Sequence, residues 1–197
     1  MVETVLGERA LRTRQSILDA SRELFLDRGY AGTRINNITD ACGISRAGFY
    51  TYFSDKREVF NLIGESAYRD VVEVVRLWER MPEPCTRADV EGWVREYFAF
   101  MDVHGAFIFA SAHSAPSDEE SRATSRRTHM RVASLLGTGM RRGRTGPTGS
   151  AEAAGLATMA MLDHSWFNCR VRRLPVEEED MVHTVASMIF ASVDTIG

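Results

Sequence analysis

Between Gly43 and Lys56 the chain reads GISRAGFYTYFSDK. The stretch combines a guanidinium at Arg46, phenols at Tyr50 and Tyr52, hydroxyls at Ser45 and Thr51, and the only lysine of the protein, Lys56. All of these groups donate hydrogen bonds and two carry positive charge, so the set can hold phosphate oxygens. Arg46 can fork onto guanine O6 and N7 or reach a phosphate. Tyr50 and Tyr52 can donate to phosphates from the edge of a groove. Lys56 falls in the first turn of an expected helix, where a cation opposes the helix dipole. A phosphate shared by the ammonium and the free amides would offset that conflict.

The elements that must position these groups are legible from punctuation. RTRQSILDASRELFLDRG carries Ile17, Ala20, Leu24 and Phe25 at helical spacing and ends on Gly29 as a C-cap. Thr33 can cap a short helix from Arg34 to Cys42, with Ile35, Ile38 and Cys42 facing inward. Gly43 can take the left-handed conformation of a sharp turn, and Ile44 is expected to point into the core. Ser45 caps a second short helix through Tyr52. Asp55 to Glu58 reads as a capping box that opens a long helix to about Arg80.

Two short helices around a tight turn have the dimensions of a helix-turn-helix, whose second helix enters the DNA major groove N-terminus first. Phe49 and Phe53 share a face and are expected to bury against Ile17, Leu24 and Ile38. Arg46, Ala47 and Tyr50 then face outward. Gly48 costs a helix about 1 kcal/mol relative to alanine. Close approach of backbone to the groove floor or a close helix–helix contact would account for it. The candidate DNA contacts are Thr33, Arg34, Ser45, Arg46, Ala47, Gly48, Tyr50, Thr51, Tyr52 and Lys56.

Charge confines any anion-binding surface to a local patch, because the net charge of the 197 residues is −3. Residues 1–60 hold nine basic against eight acidic side chains, a balance of +1, leaving 15 against 19, or −4, for the remainder. Cys42, Cys85 and Cys169 are far apart and in no metal-ligand spacing, which suits buried thiols in a reducing compartment. No metal or cofactor is implied. The longest uncharged runs are too short to span a bilayer and the N-terminus has no apolar signal core, so a cytoplasmic protein is expected.

Beyond Arg80, helical spacing continues. MPEPC breaks the chain, and Thr86 to Asp89 is a capping signal for a helix bearing Val90, Trp93, Val94, Tyr97, Phe98 and Met101. A short apolar segment from Gly105 to His113 follows. The box SDEE, Ser117 to Glu120, opens a helix to Arg142, and GRTGPTGS is a loop. Two last helices, about Ala151 to Arg173 and Val176 to Thr195, are separated by Pro175. About nine helices and no strand alternation give an all-α fold, with a helix-turn-helix domain over 1–54 and a second domain over 55–197.

The stretch GYAGTRINNITDACGISRAGFYTYFSDKREVF resembles the N-terminal DNA-binding domain of TetR-family transcriptional regulators, through Gly29, Thr33, Ile38, Ala41, Gly43, Ser45, Tyr50, Phe53 and Lys56. It departs from that pattern at Gly48, where many members carry a hydroxyl, and at Tyr52, where histidine is commoner. The resemblance implies a homodimer. Helices one to three would bind DNA, helices four to seven would enclose a small-molecule pocket, and the last two would pair between subunits. It also implies that ligand binding moves helix four and spreads the recognition helices; most members are repressors. The second half is similar, more weakly, to the subgroup that includes the ethionamide-resistance regulator of mycobacteria, through GWVREYFAFMDVHGAF and a later Met-rich helix.

Trp93, Tyr97, Phe98, Met101, Phe107, Met130, Met159, Leu162 and Trp166 are the expected lining of an adaptable apolar pocket, with His113 and Asn168 to orient a hydrophobic or amphipathic effector. Each is also a good core residue. Ala151, Ala154, Leu156, Ala157 and Ala160, with Val182, Val185, Ala186, Ile189 and Val193, give the expected two-fold interface. Recognition helices about 34 Å apart would then meet successive major grooves of a pseudo-palindromic operator. A DNA-binding dimer without an effector stays open. An enzyme using Asp163, His164 and Ser165 does not fit, because adjacent helical residues face different ways.

Overall fold

Gly43 adopts φ 64° and ψ 33°, the left-handed turn that its place between two short helices demands. Around it, the computed structural model describes the backbone of residues 2–114, 119–141 and 149–193, with side chains over 7–111, 119, 122–141 and 149–193. Eight α-helices are formed among these residues: α1 (Val2–Gly32), α2 (Ile35–Cys42), α3 (Arg46–Tyr50), α4 (Lys56–Leu77), α5 (Arg87–Ser114), α6 (Glu119–Met140), α7 (Ala151–Arg170) and α8 (Glu178–Val193). A single 3₁₀ turn, Trp78–Arg80, extends α4, and no strand occurs among the described residues. The fold is all-α.

The count falls one short of nine because the apolar segment after Gly105 is not a separate element. It continues α5. Gly105 is there for packing: a Cβ on it would lie 2.4 Å from the Trp166 ring, so the glycine is a seat for the indole and not a helix break. The first two residues of the box Ser117 to Glu120, among them its expected cap Ser117, and most of the loop GRTGPTGS fall outside the described residues.

The chain divides into two compact units, Met1–Ala67 with Ala106–Arg122, and Tyr68–Gly105 with Ala123–Gly197. Within the first, Ile17, Phe25, Ile38, Phe49, Phe53, Val59, Phe60, Ile63 and Phe107 form one buried cluster. Phe49 and Phe53 lie where their spacing puts them, beside Ile17 and Ile38, with Leu24 and Ile44 packed partly buried against the cluster. The helix spacing of α1 is interrupted at Gly29, which takes φ 69° and ψ 167°.

Two capping expectations need correction. Thr33 does not cap α2: its hydroxyl donates back to the carbonyls of Gly29 at 2.8 Å and Leu24 at 3.0 Å, and Arg34 occupies the cap, its amide donating to Asn37 Oδ1 at 2.9 Å. At α4, Asp55 accepts from the Glu58 amide at 2.8 Å as expected, but Glu58 takes the amide of Ser54 at 2.6 Å. The hydrogen bonds from Ser54 hold the Glu58 carboxyl below its ordinary range. Ser45 caps α3, accepting from the Gly48 amide at 3.0 Å, and Thr86 and Asp89 cap each other reciprocally.

The second unit is built on close helix approaches. A Cβ on Gly155 of α7 would sit 1.8 Å from the carbonyl oxygen of Ala133 in α6, and one on Gly137 of α6 would sit 1.8 Å from that of Ala151. Only glycine permits that backbone contact. On α8, Val182, Val185, Ala186, Ile189 and Val193 are all buried within the chain itself, so they are core and not an exposed pairing face. The exposed residues of the last two helices include the small or apolar Ala153, Ala157 and Ala160 on α7 and Met188 and Ala191 on α8, alongside the polar His164, Arg170, Glu179, Asp180, His183 and Thr184.

Candidate nucleic-acid interface

The first turns of α2 and α4 open onto one surface depression of about 540 Å³, lined by Tyr30, Ala31, Thr33, Arg34, Ile35, Asn36, Arg46, Asp55, Lys56 and Arg57. Four cations stand against one carboxylate, and the positive ends of two helix dipoles add to the same sign. This is the local patch that a net charge of −3 left open. Asn36 and Arg57 are part of it although the sequence reading passed over them. Their signal was positional, since each falls in the first turn of a helix, next to a residue already singled out.

Lys56 sits deeper than a surface anchor. Its ammonium donates to the carbonyls of Thr33, at 2.7 Å, and Tyr30, and stands 4.1 Å from the centroid of the Tyr30 ring. Partial burial lowers its pKa from the ordinary lysine value. Two of its three N–H groups are therefore used inside the protein. Thr33, 1 % exposed, has spent its hydroxyl on α1, which removes its side chain from the outward surface.

On α3, Arg46, Ala47 and Tyr50 form the exposed face, with exposed Thr51 following as its C-cap, while Phe49 is fully buried. Arg46 Nη1 donates to Asn36 Oδ1 at 3.0 Å and Nη2 to the Tyr50 hydroxyl at 3.2 Å. Thr51 Oγ1 donates to the Ala47 carbonyl, and Tyr52 is half-buried against the core. Around Gly48, an added Cβ would meet only Ser45 Oγ at 3.3 Å and Ile44 Cβ at 3.8 Å. Among the described residues no other helix packs there, which removes a close helix–helix contact within the chain as the reason for this glycine.

Residues 17–63, which carry this small helix and the residues lining the basic depression, match the family model described as bacterial regulatory proteins, tetR family. Over this segment the chain is similar to the TetR family. Among curated relatives, the transcriptional regulator AcrR of Shigella flexneri is 34 % identical over 67 residues, 34 % of this chain and 31 % of that protein. The transcriptional repressor AcnR of Corynebacterium glutamicum is 30 % identical over 69 residues, 35 % of this chain and 37 % of that protein. The matched segment thus spans about a third of the length of these relatives. The solved structure of the MbdR regulator from Azoarcus sp. CIB aligns with a TM-score of 0.71 at 16 % identity, over 93 % of this chain and 100 % of that one, a likeness of fold.

The residues nominated for an effector pocket separate in the structure. Trp93, Tyr97, Phe98 and Met101 on α5, and Met159, Leu162 and Trp166 on α7, are all buried in the second unit. Their polar atoms have partners in the chain: Trp93 Nε1 donates to the Val74 carbonyl at 2.9 Å, Trp166 Nε1 to Asp102 at 2.8 Å, and the Tyr97 hydroxyl to Asp163 at 2.8 Å. Burial pushes Tyr97 well above its ordinary value and raises Asp163. Asn168 is half-buried near the end of α7.

Two nominated residues are elsewhere. Phe107 belongs to the core of the first unit, its ring 4.8 Å from that of Phe60. Met130 is 42 % exposed on α6, where helical phase turns it to solvent. The side chain of His113 lies outside the described residues. Asp163 and His164 point to different partners, Tyr97 and the Ala160 carbonyl, as adjacent positions on a helix must. Among the described residues no helix is long and apolar enough to cross a membrane.

Proposed function

We propose that this chain is a DNA-binding transcriptional regulator, a repressor, that inserts α3 into the major groove of a pseudo-palindromic operator as a homodimer. The observation that carries this reading is the exposed Arg46, Ala47 and Tyr50 face of α3 beside the basic depression. Relatives named as a regulator and a repressor over the same segment support it. In this reading residues 1–54 are the DNA-binding domain and 55–197 the effector and dimerisation domain.

Arg34, Tyr50 and Tyr52 hold phosphates, Arg57 joins them, and Lys56 offers its remaining N–H, whereas the Thr51 hydroxyl is turned to the Ala47 carbonyl and is not a phosphate donor. Ser45 sets the angle of α3, and Ala47 and Gly48 let its backbone approach the base edges. The exposed small and apolar residues of α7 and α8 pair the subunits. Footprinting on the promoter regions flanking the gene tests this directly. Two protected half-sites about one helical turn apart are expected, and absence of any protected region at low salt would end the reading.

A small apolar or amphipathic effector that releases the DNA is the second part of the proposal. The internal pairing of Trp93, Tyr97 and Trp166 favours a competing reading, a DNA-binding dimer whose aromatic set is solid core. Thermal melts with a panel of apolar metabolites separate the two. A true effector at 100 times its Kd adds about 2.7 kcal/mol and releases operator DNA, whereas solid core gives neither response.

A further inference from the structure

Arg46 is held from two sides before any DNA arrives. Its guanidinium donates to Asn36 Oδ1 on the neighbouring helix at 3.0 Å and to the Tyr50 hydroxyl one turn on at 3.2 Å, with its carbon 5.7 Å from the Tyr50 ring centroid. All three residues are exposed, so the arrangement stands on the surface that α3 presents. Of the five N–H donors of a guanidinium, two are taken and three remain.

A free surface arginine suffices for a phosphate, because charge attraction tolerates a wandering side chain. A fork onto guanine O6 and N7 needs a guanidinium plane that is fixed, and fixing it in advance removes an entropic cost from binding. Phosphate contact has separate cations available in Arg34, Lys56 and Arg57, although Arg46 also borders their depression.

We propose that Arg46 is the specificity-determining residue of α3, reading a guanine in each half-site, and that Asn36 is its positioning residue. The proposal rests on the DNA-binding reading above and assigns base recognition within it.

The test uses the full chain and a duplex that the wild-type protein selects from a randomised DNA pool. Affinities are measured for every single base-pair substitution and for a scrambled duplex, over a range of salt concentrations. Replacing one guanine per half-site should weaken wild-type binding by about 5- to 150-fold. Arg46→Ala should erase that preference and leave preferences at other positions intact. Asn36→Ala should reduce the same preference while leaving the scrambled duplex and the salt slope unchanged. Asn36→Asp, which keeps the acceptor, should retain the preference at lower affinity for all duplexes.

If Arg46→Ala instead weakens every duplex by one factor and lowers the salt slope by about 0.9, Arg46 holds a phosphate and the assignment is overturned while DNA binding stands. If Asn36→Ala leaves the guanine preference untouched, Asn36 loses its positioning role. A wild-type chain that selects no sequence sinks the DNA-binding reading and this proposal together.

Discussion

Lys56 donates to the backbone carbonyl of Thr33 at 2.7 Å, fastening the start of α4 to the segment that leads into α2. The same ammonium takes the carbonyl of Tyr30 and faces the Tyr30 ring. Lys56→Met should therefore lower stability by about 1.5–3 kcal/mol, the usual range for a lost charge-assisted hydrogen bond. Urea denaturation of the two proteins measures it; an unchanged midpoint would mean that the lysine is only a surface charge.

Arg34 and Arg57 are exposed and line the basic depression. Arg34→Ala and Arg57→Ala should each weaken binding to operator and scrambled duplexes alike, and each should reduce the slope of log affinity against log salt by about 0.9. Titrations at several salt concentrations read both effects at once.

Gly155 and Gly92 are both helical glycines, yet their substitutions should have opposite signs. A Cβ at Gly155 would lie 1.8 Å from the Ala133 carbonyl oxygen, while at exposed Gly92 it would meet nothing within 4 Å. Gly155→Ala should destabilise by about 3 kcal/mol, since α6 and α7 must separate. Gly92→Ala should stabilise by about 0.5–1 kcal/mol through helix propensity. Thermal unfolding of both variants gives the comparison.

Burial raises the Asp163 carboxyl above its ordinary range, against the opposing hydrogen bond from Tyr97. The folded protein then keeps a proton that the unfolded chain has released. This contribution is complete below the ordinary carboxylate value of about 3.9 and is lost as pH rises through the raised value. Asp163→Asn should be relatively more stable than wild type at neutral pH than at acidic pH. Melting curves recorded from about pH 4 to about pH 8 should diverge in that direction.

Much of the first unit was legible in the chain. Gly43, Ser45, Phe49 and Phe53 act locally: a left-handed turn, a cap three residues from its amide, and two rings one helical turn apart are fixed by short-range geometry. The Thr33 and Lys56 assignments were less complete for the complementary reason. Both residues spend their donors across gaps in sequence, Thr33 on Leu24 and Lys56 on Tyr30, and local spacing carries no sign of such partners.

The second unit was read less well. Val182, Val185, Ala186, Ile189 and Val193 have helical periodicity in either role, because a face that meets its own chain and a face that meets a second chain need the same apolar residues. Gly105 has the composition of a break and the function of a seat for Trp166, 61 positions away.

By itself, then, the sequence determined the helices, the turn of the helix-turn-helix and which face of α3 turns outward, all consequences of forces that act within a few residues. Tertiary structure decided which polar atoms are already spent and which remain for a partner. It closed the hydroxyl of Thr33 and most of the ammonium of Lys56, and it brought Asn36 to Arg46, because hydrogen-bond partners are chosen by proximity in space.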